Sequence, residues 1–106
     1  MKEMFLQAEM YVYSENGEIL GFIGLDQSYI AGIFVRKGAQ SRGIGKALLD
    51  FVKEKKAELA LHVYRKNEKA VRFYLREGFR IRREMTDEDT KEEEYLMEWS
   101  KETGEK

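Results

Sequence analysis

A chain of 106 residues with a net charge of −1 and 37% charged residues has the size of one domain built on one core. That near-neutral balance argues against nucleic acid as the main partner, and the absence of cysteine excludes a disulfide framework and a thiol nucleophile. A single histidine argues against a bound metal, and no apolar run is long enough to span a bilayer.

In chain order, residues 10–13 predict a strand, and Glu15-Asn16-Gly17-Glu18 carries the Asn-Gly hairpin signal. Residues 19–25 predict the return strand. A turn at residues 26–28 leads into a third strand over residues 29–36, in which Gly32 points to a bulge or a close backbone approach. No signal-peptide pattern precedes the first strand, so a cytoplasmic protein is expected.

The run Gln40-Ser41-Arg42-Gly43-Ile44-Gly45-Lys46 then joins a strand to a helix. A turn of this kind aims backbone N–H groups and the positive end of a helix dipole at one spot, which favours phosphate or pyrophosphate. Gly43 and Gly45 carry no Cβ to block a ligand from the backbone. The same pattern also serves as a plain strand-to-helix turn. The helix over residues 44–56 follows from Ile44, Ala47, Leu48, Phe51 and Val52, whose i, i+3, i+4, i+7, i+8 spacing makes one apolar stripe for the core.

Residues 59–64 predict a buried strand. Asn67 is a suitable N-cap for a second helix, which bears Ala70, Phe73, Tyr74 and Glu77 on one side and ends at Gly78. Residues 79–81 open another strand. A polar turn over residues 86–91 and a last strand over residues 95–99 complete a core at residues 8–99, flanked by a lead-in at 1–7 and a tail at 100–106.

A strand, Gln-x-x-Gly-x-Gly, an amphipathic helix, a strand, Asn-x-x-Ala-x-x-Phe-Tyr and Gly-Phe, in this order, resemble the Gcn5-related N-acetyltransferase (GNAT) family over nearly the whole chain. The resemblance implies an α/β fold with a mixed, mostly antiparallel sheet and two main helices, lacking the usual first strand and helices. It implies an acetyl-CoA-dependent N-acetyltransferase acting on an amine of a small molecule, peptide or protein. Gln40, Ser41, Arg42, Gly43, Ile44, Gly45 and Lys46 would hold the pyrophosphate. Backbone N–H groups of Ile33, Phe34 and Val35 would pair with pantetheine and polarise the carbonyl. Asn67, Ala70 and Phe73 belong to the family's second motif, with Asn67 both capping the helix and bonding pantetheine.

Tyr74 is the candidate general acid, since a phenol near pKa 10 stays protonated at neutral pH and can donate to a departing thiolate. Tyr74 is also a suitable core residue beside Phe73. The general base stays open between His62, a water chain and a group on the first strand and helices that the family usually has and this chain lacks. The alternative function is an acetyl-CoA-binding module without a complete acceptor site. Where the family's usual first helices would cover the sheet, apolar residues of the hairpin, including Tyr11, Tyr13, Ile19, Phe22 and Ile23, are expected to need other cover, and a homodimer is the expected remedy.

Overall fold

The structure is a computed structural model that describes residues 8–40 and 42–101. They gather into two compact units that divide between Lys56 and Ala57.

The first unit contains β1 (Ala8–Glu15), β2 (Glu18–Asp26), β3 (Tyr29–Val35) and α1 (Ile44–Lys55). The strands lie in chain order, and both pairings are antiparallel. The Asn-Gly turn behaves as expected: Asn16 and Gly17 have φ of 54° and 81°, the left-handed values of the hairpin turn whose twist suits the strands. β1 and β2 slip register between Tyr13 and Ser14. β2 and β3 slip between Gly24 and Leu25, so Ala31 has no residue opposite it, and the expected irregularity falls one residue before Gly32.

These slips decide which side chains share a face. α1 packs against all three strands, on the face that carries Ile23 and Leu25. Tyr11 belongs to this face, its ring edge-on to Phe51 at 5.0 Å between centroids. The apolar stripe of α1 is corrected at its margin. Ile44, Leu48, Leu49 and Val52 are buried, whereas Ala47 is exposed and Phe51 is 44% exposed. Leu49 takes the place expected for Phe51 because the sheet meets the helix on the side of residues 44, 48, 49 and 52.

The opposite face gathers Met10, Val12, Phe22 and Phe34, through the opposed pairs Val12–Phe22 and Phe22–Phe34. The last two rings stack at 5.6 Å. Ile19 joins this face because the β1–β2 slip sets it opposite Ser14. The expected set of outward apolar residues is therefore corrected: Tyr11, Tyr13 and Ile23 lie on the face of α1, and the open face consists of Met10, Val12, Ile19, Phe22 and Phe34.

The second unit contains β4 (Glu58–Tyr64), α2 (Glu68–Arg76), β5 (Arg80–Thr86) and β6 (Glu93–Ser100). β6 lies between β4 and β5, antiparallel to both. Strict alternation along β4 buries Leu59, Leu61 and Val63 and exposes His62 and Tyr64. α2 packs on β4 and buries Val71 and Tyr74, while Leu75 faces solvent. The helix ends as its sequence predicts. Gly78 has φ of 97°, its N–H bonds the Leu75 carbonyl, and the Phe79 N–H bonds the Tyr74 carbonyl at 2.9 Å.

Candidate active site

In the first unit, residues 36–43 carry the chain from the end of β3 to the start of α1. Two short backbone bonds shape this loop, Ala39 N–H to the Arg36 carbonyl at 2.9 Å and Arg42 N–H to the Ala39 carbonyl at 3.3 Å. Gln40 turns back, its Nε2 donating to the Val35 carbonyl at 3.2 Å. Buried Ala39 anchors the loop on the core, and Gln40, Arg42 and Gly43 stay exposed.

Gly43 is the N-cap of α1, with φ of 79° and ψ of 15°. An L side chain adopts this conformation only with strain. No side chain caps this helix, and its first turn carries no acidic residue. The first i to i−4 bond of the helix runs from Ala47 N–H to the Gly43 carbonyl at 3.0 Å. The earlier N–H groups of a helix have no intrahelical acceptor, and together with the dipole they form a site for an anion.

Cations surround this start. Arg36, Lys37, Arg42 and Lys46 are all exposed. Arg36 pairs with Glu18. Arg42 donates through Nη2 to Glu15 Oε1 at 2.6 Å, a contact that raises the guanidinium pKa further. Lys46 reaches Asp50 at 3.2 Å along the helix. Ile33, Phe34 and Val35 lie at the end of β3, opposite Ile23, Phe22 and Gly21. Antiparallel pairing to β2 uses alternate amides of β3, so the others point to its far edge. Gln40, Arg42, Gly43, Ile44, Gly45 and Lys46 thus share one short run with the end of β3, and Ser41 lies outside the described residues.

In the second unit, Asn67, Ala70, Phe73 and Tyr74 stand within one turn or two on the same short helix. Asn67 Oδ1 accepts the Ala70 N–H at 3.3 Å, the N-cap bond expected of it. The Tyr74 ring contacts Phe73 and Phe79, with centroids 5.2 Å and 5.7 Å away. Burial pushes its phenol above the ordinary value near 10, so the group is a proton donor at any neutral pH. His62 lies on the exposed side of β4, opposite Leu96 of β6. Sequence reasoning missed Glu15 and Glu18, whose signal is their position at the two ends of the hairpin turn.

A family model described as an acetyltransferase (GNAT) domain matches residues 7–81, which covers the loop and α2 together. The chain belongs to this family. It is 37% identical over 93 residues, 87% of its own length, to the peptidyl-lysine N-acetyltransferase YiaC of Escherichia coli K12. It spans 64% of that relative's length, less than two thirds. Among solved structures, it is similar to a GNAT family acetyltransferase from Elizabethkingia anophelis with acetyl-CoA bound, with a TM-score of 0.81 at 21% identity, over 93% of this chain and 80% of that one. It is also similar to the ribosomal-protein-S18-alanine N-acetyltransferase from Escherichia coli, with a TM-score of 0.76 at 22% identity, over 94% of this chain and 76% of that one. These likenesses establish the expected fold: a mixed, mostly antiparallel sheet with two main helices, of the acyl-CoA N-acyltransferase kind.

Proposed function

We propose that the protein is an acetyl-CoA-dependent N-acetyltransferase whose acceptor is a primary amine, with a lysine side chain of a protein or peptide as the first candidate. The acceptor class is suggested by the likeness to the peptidyl-lysine enzyme YiaC. The observation that carries the reading is the start of α1, a left-handed glycine with no side-chain cap, in a loop that lies within the span matched by the family model. The first-turn amides hold the CoA pyrophosphate, Arg42 and Lys46 add positive charge, and those amides of Ile33, Phe34 and Val35 that β2 leaves unused hold pantetheine and polarise the thioester carbonyl.

The amine nitrogen attacks the carbonyl carbon, the C–S bond breaks, and the acetyl group ends on nitrogen. Tyr74 donates its phenolic proton to the departing thiolate, and water carries away the proton lost by the amine. The reading takes the chain as one acetyl-transfer domain with acetyl-CoA as cosubstrate and no metal cofactor.

The test is a calorimetric titration with acetyl-CoA, followed by thiol release against a panel of amines that includes lysine peptides. Binding together with turnover supports the reading. Binding without turnover on any amine reduces the protein to a CoA-binding module, and no binding removes CoA chemistry from it.

The same reading takes the protein to be cytoplasmic and a homodimer that covers the open face of the hairpin. Met10, Val12, Ile19 and Phe34 are each more than half exposed there, and each 100 Å² of such surface left in water forgoes about 2.5 kcal/mol. Two-fold pairing of identical faces is the common remedy. Sedimentation equilibrium at micromolar concentration should show twice the chain mass of 12.5 kDa, and a monomer refutes the dimer.

A further inference from the structure

The turn between β1 and β2 carries two glutamates in an arrangement that local rules disfavour. Glu15 and Glu18 stand directly opposite each other across the hairpin, where like charges repel. Each is matched by an arginine from one end of the loop at residues 36–43. Glu18 holds Arg36, the first residue after β3, and Glu15 holds Arg42, the residue before the N-cap of α1. The two pairs join residues 18 and 27 positions apart in sequence, and they tie both ends of the turn to both ends of the loop.

From this double pairing we infer that Glu15 and Glu18 are positioning residues for the CoA phosphates, acting through Arg36 and Arg42. The inference rests on the CoA-binding reading of the loop. Arg36 uses only Nη1 and Arg42 only Nη2 in these pairs. A guanidinium has five N–H donors in a rigid fork, so an arginine fixed on one edge by a carboxylate presents its other edge to a phosphate. A long side chain held in place beforehand loses less entropy on binding. Backbone bonds from Arg36 N–H to the Leu20 carbonyl and from Arg42 N–H to the Ala39 carbonyl fix the stems of both arginines, leaving the glutamates to fix their heads.

The test uses Glu15→Gln and Glu18→Gln, singly and together, in the full chain. Calorimetry with CoA should show a dissociation constant about two- to fivefold weaker for each single variant and roughly tenfold weaker for the pair, as exposed ion pairs allow. Pantetheine, which lacks the phosphates, should bind the double variant as it binds the wild type in an NMR titration. A general loosening of the structure would weaken both ligands alike and would overturn the inference. Equal or tighter CoA binding also overturns it, because the carboxylates would then only compete with phosphate for the arginines. Should the double variant not fold, the two single variants decide. Failure of the wild type to bind CoA removes the proposed function and this inference with it, whereas wild-type binding with unchanged variants removes this inference alone.

Discussion

The two helices begin in opposite ways. α2 closes its own start: Asn67 Oδ1 takes the Ala70 N–H at 3.3 Å, and Glu68 adds a negative charge to the first turn. α1 leaves its start open: Gly43 offers no side chain, no acid lies in the first turn, and the surrounding residues are cationic. Every helix has the same unsatisfied amides at its N-terminus. A helix that satisfies them from its own sequence has a structural start, and one that does not leaves them for an outside anion. On the proposed function, this contrast assigns affinity to the end of α1 and chemistry to the body of α2, where Tyr74 sits.

The strongest way to break that division is to remove one hydroxyl from α2. Tyr74→Phe keeps the ring contacts with Phe73 and Phe79 and removes the proton. Turnover should fall by about 10² to 10⁴, the usual worth of general acid catalysis, with acetyl-CoA affinity unchanged. Because burial raises this phenol above its ordinary value, it stays protonated at neutral pH, and any loss of rate from its ionisation lies on the alkaline side of 10. Steady-state kinetics across pH would check both points. Full turnover by the variant would leave Tyr74 as a core residue only.

The next effect belongs to the start of α1. A Cβ placed on Gly43 meets nothing within 4 Å, so a substitution there is opposed by φ of 79° and not by crowding. Gly43→Val should weaken CoA binding by about five- to a hundredfold, since a β-branched residue in a left-handed conformation costs on the order of 1–3 kcal/mol. Gly43→Asn sharpens the result, because asparagine tolerates that conformation while still adding a side chain. If Asn restores binding, the backbone angle is what the loop needs. If Asn fails as Val does, the ligand approaches the backbone too closely for any side chain. Calorimetry on both variants, with thermal melting to confirm the fold, separates these outcomes. Wild-type affinity in both refutes the phosphate role of the loop.

Much of this was legible in the sequence because its signals are local. Asn16-Gly17 marks the hairpin, the run from Gln40 to Gly45 marks the loop, and Asn67 and Gly78 mark the two ends of α2. Each is set by the conformational preference of one or two residues, so no knowledge of distant contacts is needed. The faces of the first unit were harder to read. A single register slip near Tyr13 puts Ile19 on the side of Val12 and Phe22, and simple alternation has no means of showing a slip. Likewise, which margin of the α1 stripe meets the sheet depends on packing, and so Leu49 is buried where Phe51 was expected. The pairs Arg42–Glu15 and Arg36–Glu18 join residues far apart in the chain, and charge pattern alone does not reveal them. The candidate site divides in the same way: its motif residues follow from the family resemblance, and the glutamates paired with the loop's arginines do not.

The smallest effect concerns Asn67, for which the comparison of the helices allows two roles. Asn67→Ala removes the cap and should cost about 1 kcal/mol of stability, seen as a lower melting temperature. That result alone does not test a bond to pantetheine. Asn67→Asp does, because an aspartate caps equally well and favours the positive end of the dipole, but it lacks the amide donors of asparagine. If Asn67 only caps α2, the aspartate variant melts at or above the wild-type temperature and binds CoA as before. If the Nδ2 group also holds pantetheine, stability is kept while affinity falls by about two- to tenfold, the worth of one ordinary hydrogen bond. The first outcome makes the start of α2 purely structural and completes the contrast with α1. The second gives α2 a part in affinity, so that the division between the helices becomes one of degree.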